Sequence, residues 1–399
     1  LCEVAIAHLD GTIATSRRDD GLYDSYNLVH ISNDHQAASI ESLGEMLEGQ
    51  VAVIESGVLD ADQCADVVDA LFESEMYRAD QHTFMLYPAR RLPSFLERNI
   101  VPAPEVKGNP LLSKLLAEGA ETIITRDEDG NFRFGADLTT REILEEHLDV
   151  LAGEDSYRDI VRSHRQATID AYRRVFGHHS YTGRSGSMYG YEGLGSVYWH
   201  MVAKLLVAIQ GEALEFASSG AEPDAIQRLA RSYWRVRAGM GFNKTPMEHG
   251  AIPIDPYSHT PGHAGAQQPG MTGLVKEELL VRPAELGLVV ANGEVTFDPM
   301  FLITGELLLD PQEWSVFTTS MDWHTIDLPS RSLGSTMCQV PIVVVVEEGS
   351  PRVEATLADG RVLTVEGNSL GADLSSKIFG RTGDVTRIEA FMPPLEGAP

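Results

Sequence analysis

Leu288-Val-Val-Ala-Asn-Gly-Glu-Val-Thr-Phe297 is the point at which the chain changes character. Two short runs of β-branched and aromatic residues flank Asn292-Gly293, a dipeptide that favours a tight turn between antiparallel strands. From here onward the apolar pattern has period two. Val340-Pro-Ile-Val-Val-Val-Val346, Val353-Glu-Ala-Thr-Leu357, Arg361-Val-Leu-Thr-Val365 and Val385-Thr-Arg-Ile-Glu-Ala390 read as strands, with Asp359-Gly360 and Gly383-Asp384 as turns. Val340–Val346 is the longest apolar run. It suits a strand buried on both faces and falls far short of the roughly 20 residues of a membrane helix.

Ahead of Gly287 the spacing predicts helices. Asp60 can cap one running to about Glu75, with Ala65, Val67, Val68, Leu71 and Phe72 on its apolar side. Asn109-Pro110 opens a short helix to about Gly119, and Thr139-x-x-Glu142 has the form of a capping box for a helix to about Leu151. Asp155 to Gly177, Gly195 to Phe216, Pro223 to Ala238 and Gly273 to Glu285 are further candidates. Alternation on either side of Asp129-Gly130, between Thr122 and Phe134, reads as a small hairpin. Helices followed by strands imply segregation, hence an α+β protein: a helical domain over 1–287 and an antiparallel, β-sandwich-like domain over 288–399.

The 399 residues carry 31 Lys and Arg against 59 Asp and Glu, a formal charge of −28. Such a field repels nucleic-acid phosphates and anionic membrane surfaces, so neither is an expected partner. Cys2, Cys64 and Cys338 are odd in number, far apart and without a CxxC pairing, which argues against a zinc ribbon and a disulfide framework. Buried free thiols in a reducing, cytoplasmic compartment are expected. Residue 1 is Leu, and Val4, Ile6 and Leu9 follow it at once. The start therefore reads as the middle of an element and the chain as part of a longer protein.

Two long segments between the helices hold the residues with chemistry. The first, 178–196, is rich in Gly, Ser and Tyr. Within it Arg184 offers a planar fork to a carboxylate or phosphate. Glu192, beside Tyr191 and near Tyr198 and Trp199, sits in surroundings that would raise a carboxyl pKa toward that of a general acid. The competing role for Glu192 is a cap or an ion pair with Arg184. Trp199 and His200 open an apolar helix, which favours a core role over a site role for each. Within 178–196 neither Gly-x-Ser-x-Gly nor Gly-Lys-Ser/Thr occurs, which argues against a nucleophile elbow and a nucleotide loop there.

The second segment, 239–273, is stiffened by prolines 246, 253, 256, 261 and 269. It carries Asn243, Lys244, Asp255, Tyr257, His259, His263, Gln267 and Gln268, a donor and acceptor set with ring faces that suits a hydroxyl-rich ligand. His249, His259 and His263 lie on a proline-broken stretch without HExxH or a cysteine partner, so no metal and no other cofactor is expected. Glu277, in the following helix, is either a pocket-edge acid or part of a solvated face.

Tyr23-Asp-Ser-Tyr-Asn-Leu28, Met46-Leu-Glu-Gly-Gln50, the stretch Gly183 to Gly195 and the stretch Asp255 to Gly270 resemble strings from large, mostly uncharacterised bacterial proteins, of which this would be a C-terminal part. The order of elements is also similar to six-hairpin (α/α) toroid carbohydrate-active enzymes, with Asp19 to Asn27 and Asn292 to Pro299 resembling segments of that class. The resemblance implies an α/α toroid-like helical domain around a loop-built pocket, followed by a β domain.

The expected activity is cleavage of a glycosidic bond in a small-molecule or oligosaccharide substrate, by hydrolysis or phosphorolysis. Glu192 is the expected general acid and Asp255 the second carboxylate. Tyr191, Trp199, Asn243, Tyr257, His263, Gln267 and Gln268 would hold sugar, and Arg184, Lys244 and His259 would hold phosphate. Two alternatives share these residues. One is a polysaccharide lyase using Tyr257 and His259; the other is a non-catalytic accessory or assembly region of a larger enzyme.

Overall fold

The computed structural model describes residues 2–32, 36–42, 44–88, 94–177, 196–240, 245, 259–261 and 273–394. The chain divides into two compact units, one made of Leu1–Pro88 with Gly195–Pro399, the other of Ala89–Leu194. The second unit thus interrupts the sequence of the first. The switch to period two at Gly287 lies inside the first unit.

Helix α1 (Cys2–Thr15) has no buried residue. Strands β1 (Asn27–Ile31) and β2 (Ala38–Ser42) pair antiparallel. Helices α2 (Leu47–Ile54) and α3 (Ala61–Glu73) follow, then the short hairpin β3 (Tyr77–Arg78) and β4 (Thr83–Phe84). Asp60 caps α3 as the sequence indicates: its carboxylate accepts from Gln63 N at 2.8 Å while Gln63 Oε1 accepts from Asp60 N at 2.9 Å. Gln50 is buried on α2 yet satisfied, accepting from Tyr23 N and donating to Tyr23 O.

The interrupting unit contains α4 (Phe95–Arg98), α5 (Ala103–Gly108), α6 (Pro110–Glu118), β5 (Ile124–Arg126), β6 (Phe132–Phe134), α7 (Arg141–Gly153) and α8 (Arg158–Phe176). It has a core of its own. Leu111, Leu112 and Leu115 of α6, Leu144 and Leu148 of α7, and Ile169, Tyr172 and Phe176 of α8 enclose Phe134. Asn109 is 4% exposed and does three things: it accepts from Leu111 N and Leu112 N at the start of α6, and donates to Thr168 Oγ1 at 2.9 Å. Tyr172 buries its ring and donates its hydroxyl to Leu138 O at 2.7 Å.

Two helix starts differ from expectation. Thr139 N already donates to Asp137 O in a turn, so Thr140, not Thr139, caps α7 by accepting from Ile143 N. Asp155 lies in a turn closed by Tyr157 N and Arg158 N onto Glu154 O, and α8 begins only at Arg158.

The first unit resumes with β7 (Ser196–Tyr198), α9 (Trp199–Ser219), α10 (Pro223–Arg237), β8 (His259–Pro261) and α11 (Gly273–Glu285). Expected as the first turn of a helix, Ser196–Tyr198 is instead drawn into a strand by pairing with β8. Helices α2, α3, α9 and α10, with Val281 and Ala284 of α11, share a core around Trp199, Leu205, Ile209 and Tyr233. Cys64 lies in this core, and burial pushes its thiol up to about 12. Cys338 is half-buried and Cys2 exposed, so only one of the three thiols is fully buried. No helix among the described residues is long and apolar enough to cross a membrane.

The β-rich part holds the hairpin β9 (Leu288–Ala291) and β10 (Glu294–Phe297), turned at Asn292 and Gly293, both with positive φ. Hairpin β11 (Gln312–Phe317) and β12 (Trp323–Leu328) comes next. Strands β13 (Ser332–Met337), β14 (Val340–Val346), β15 (Arg352–Leu357), β16 (Val362–Glu366) and β17 (Val385–Met392) form one sheet, in the order β13-β14-β17-β15-β16. The expectation of an antiparallel domain needs correction here, because β14 and β17 run parallel. The chain leaves β16 through α12 (Gly371–Phe379) before it returns as β17, and such a helical crossover permits a parallel neighbour where a hairpin does not. Every residue of β14 is buried. Val340, Ile342 and Val344 face α12 and the β9–β10 hairpin, whereas Val343 and Val345 face β11–β12. The architecture is therefore mixed α+β.

Candidate functional site

Of the twelve residues expected at the site, Trp199 is described in full. It opens α9 and is 0% exposed in the main core, the packing role that the sequence also allowed. His259 is the first residue of β8, placed by its backbone. Glu192, Asp255, Arg184, Tyr191, Asn243, Lys244, Tyr257, His263, Gln267 and Gln268 lie outside the described residues.

What is described is how the flanks of the two long segments are held. Strand β7 follows directly on the first segment, and β8 belongs to the second. The two pair antiparallel, Ser196 with Pro261, Val197 with Thr260 and Tyr198 with His259. Val197 also bridges to Met85 next to β4. The backbone that leaves the first segment is thus hydrogen-bonded to the middle of the second. Val197 is fully buried, and it fixes this ladder to the helical core by side-chain packing.

The second segment is fastened at its start as well. A Cβ on Gly239 would lie 2.1 Å from the backbone oxygen of His82, so only glycine allows this approach. Met240 is 1% exposed in the core. His82 is held in turn: its Nδ1 meets Tyr77 OH at 2.8 Å and its Nε2 meets Arg235 O at 3.2 Å. The Arg235 guanidinium lies over the Phe72 ring at 3.6 Å.

A buried polar cluster joins the helices on either side of the second segment. Glu285, at the end of α11, is 0% exposed. Its Oε1 accepts from Arg237 Nε at 2.7 Å and from the Tyr233 hydroxyl, both on α10; its Oε2 accepts from Arg282 at 2.9 Å. Arg282 also reaches Glu306 at 2.6 Å. Three donors on one carboxylate provide the compensation that a buried charge requires. Glu285, unlike Glu277 on the same helix, carries no local sequence signal for a role at a site. The available signal was Arg237, an arginine next to Val236 on the apolar side of α10, which implies a buried acid elsewhere.

Two of the clefts among the described residues contain no expected site residue. One, of about 420 Å³, lies on the interrupting unit among Glu97, Arg98, Ile100, Glu105 and Arg174. Arg174 and Glu105 make a bidentate pair there at 2.7 and 2.8 Å, and the Arg174 hydrogen bonds hold the Glu105 carboxyl below its ordinary range. The other, of about 260 Å³, is mostly apolar and is lined by Pro299, Leu302, Leu307, Leu308, Pro393 and Pro394.

With this geometry in hand, comparison with known families is informative for one part of the chain. Residues 92–179 match the family model described as GH149 phosphorylase insertion domain 2. The match falls within Ala89–Leu194, the unit that interrupts the other in sequence. No curated protein matches the chain. The match relates the chain to carbohydrate-active enzymes through a unit that is an insertion and not a catalytic domain.

Proposed function

We propose that the chain is part of a carbohydrate-active enzyme that cleaves a glycosidic bond by phosphorolysis, with the helices of its first unit arranged as in α/α toroid enzymes. The observation that carries this reading is the match of residues 92–179 to an insertion domain of a phosphorylase family, in the place where the chain has a compact, inserted unit. Within the first unit, the β7–β8 ladder holds the middle of the second segment at His259–Pro261.

In this reading Glu192 protonates the glycosidic oxygen as the C–O bond breaks, and an oxygen of inorganic phosphate forms the new bond to the anomeric carbon. The products are a sugar 1-phosphate and a shortened acceptor. Asp255 stabilises the oxocarbenium-like transition state. Arg184, Lys244 and His259 hold the phosphate. Tyr191, Asn243, Tyr257, His263, Gln267 and Gln268 orient sugar, whereas Trp199 is committed to the core. The partners are a neutral oligosaccharide and inorganic phosphate.

The test is to incubate the protein with neutral oligosaccharides, with and without inorganic phosphate. Phosphate-dependent release of sugar 1-phosphate is expected, reduced by about 10²–10⁴-fold in Glu192→Gln, the range that a general acid contributes. A comparable loss is expected in Asp255→Asn. Normal turnover in both variants removes the assignment. Free sugar released without phosphate indicates hydrolysis, and an unsaturated product indicates a lyase. Because the matched unit is an insertion domain, a second reading is an accessory or assembly region, which predicts glycan binding without any product.

A further inference from the structure

The β11–β12 hairpin has two unlike faces. On the inner one, Val316, Ile326 and Leu328 are buried with Trp314 against Val343 and Val345 of β14. The outer face consists of three cross-strand rungs: Phe317 opposite Trp323, Ser315 opposite Thr325, and Glu313 opposite Asp327. All but the half-buried Phe317 are exposed, Trp323 by 68%. The Phe317 and Trp323 rings pack edge to face with centroids 5.7 Å apart.

Two of these rungs work against the fold. Like charges directly opposite each other destabilise a strand pair. A tryptophan left mostly in water forgoes the burial that usually accompanies so large an apolar surface. The hairpin needs neither, since its inner face already anchors it. The turn beside the rings is nevertheless well fixed. Thr318 Oγ1 meets Ser320 Oγ at 2.9 Å, Ser320 Oγ meets His324 Nε2 at 2.8 Å, and Asp322 Oδ1 accepts from Trp323 N at 2.8 Å. The rings are therefore held in place ahead of any ligand.

We propose that this outer face is a binding platform for a neutral oligosaccharide chain, separate from the cleavage site; the inference rests on the carbohydrate reading above. A sugar ring offers an apolar C–H face to Trp323 and a rim of hydroxyl donors to Glu313 and Asp327. The hydroxyls of Ser315 and Thr325 both donate and accept. Same-face residues on a strand are about 6.7 Å apart, so three rungs span roughly 13 Å, room for a short run of sugar rings along the strands. The two carboxylates, on a chain with net charge −28, disfavour uronic or sulfated glycans and select neutral ones.

The test is affinity electrophoresis of the full chain in gels containing soluble starch, arabinoxylan or mixed-linkage β-glucan, with polygalacturonate as the anionic control and no phosphate present. At least one neutral polysaccharide is expected to retard the native chain, at low and at high salt alike. Trp323→Ala should weaken that binding by about tenfold or more, as loss of a central aromatic anchor does. Asp327→Asn, which keeps shape and folding, should weaken it less. Sugar 1-phosphate release from a short oligosaccharide should be unchanged in both. Three results overturn the platform: no retardation by any neutral polysaccharide, retardation indifferent to Trp323→Ala, or a Trp323→Ala variant whose only change is loss of self-association in sedimentation. Binding abolished by salt points to a cationic partner and also overturns it. Turnover without retardation defeats the platform alone, whereas retardation without turnover defeats only the proposed activity.

Discussion

The interrupting unit and the helical body of the first unit are built in opposite ways. In the former, a core running from Val101 to Phe176 closes on itself, and its polar anchors link elements within the same stretch: Asn109 to Thr168, Tyr172 to Leu138, Asn99 to Phe134. In the latter, contacts join residues far apart in sequence, such as Val197 to Met85, Gly239 to His82 and Glu285 to Tyr233 and Arg237. A segment that folds from local contacts can be inserted into another chain without disturbing it. A region fastened by distant ones can hold long connecting segments at fixed points, which is what a loop-built site needs.

The sharpest way to break the contrast is Glu285→Ala. It leaves Arg237 buried without its carboxylate and should cost about 3–5 kcal/mol, the penalty for stranding one partner of a buried pair. Denaturant unfolding should show that loss in the transition of the first unit, with the interrupting unit untouched. Gly239→Ala is expected next, at roughly 1–3 kcal/mol, because a new methyl group meets the His82 carbonyl and something must shift. Its melting temperature should fall, and turnover should fall with it if the second segment carries the site. A loss confined to stability would separate the anchor from the chemistry.

Asn109→Ala probes the other region. It removes a helix cap and a buried hydrogen bond, about 1–2 kcal/mol together. The loss should appear only in the unfolding of the interrupting unit, read by hydrogen exchange at α6 and α8. Equal protection loss in α9 and α10 would deny the two units their independence.

The smallest effect is one of sign with pH. Glu105 on the interrupting unit is held below its ordinary pKa by Arg174. It therefore contributes stability above the unfolded-state value, and that contribution is lost as pH falls through the folded one. In the helical body, burial raises Glu55, and burial with neighbouring acids raises Glu212. Their contribution is present at pH below the unfolded value and is lost as pH rises through the folded values. The Glu105 pair is half-exposed, so solvent screening limits it to about 0.5 kcal/mol or less. Titration of the carboxyl carbons by NMR should show the opposite displacements; shifts of one sign in all three would remove this distinction.

Much of the fold was legible where the signal is local. Asp60 with Gln63, Asn109 with Pro110, and Asp129-Gly130 act through neighbours within a few residues, and each does what its chemistry requires. The candidate site was less legible. Expected helical, Ser196–Tyr198 became a strand because its partner lies more than sixty positions away, at His259–Pro261. Trp199 has the type that could line a pocket, yet the apolar helix it opens favoured a core, and packing by α9 and α10 put it there. Strands β11, β12 and β13 were missed because Gln312–Met337 mixes polar and apolar residues without strict alternation.

By itself the sequence determined the caps of α3 and α6, the Asn292-Gly293 turn, the wholly buried strand Val340–Val346 and the change of periodicity at Gly287. These follow from side-chain chemistry and spacing over a few residues. Tertiary structure alone decided that 89–194 is a separate unit, that β17 enters the sheet parallel to β14, and that Glu285 answers Arg237 across the second segment. Each depends on which distant surfaces meet, and no local propensity encodes that choice: it is settled when apolar faces and buried charges find the one arrangement that satisfies them together.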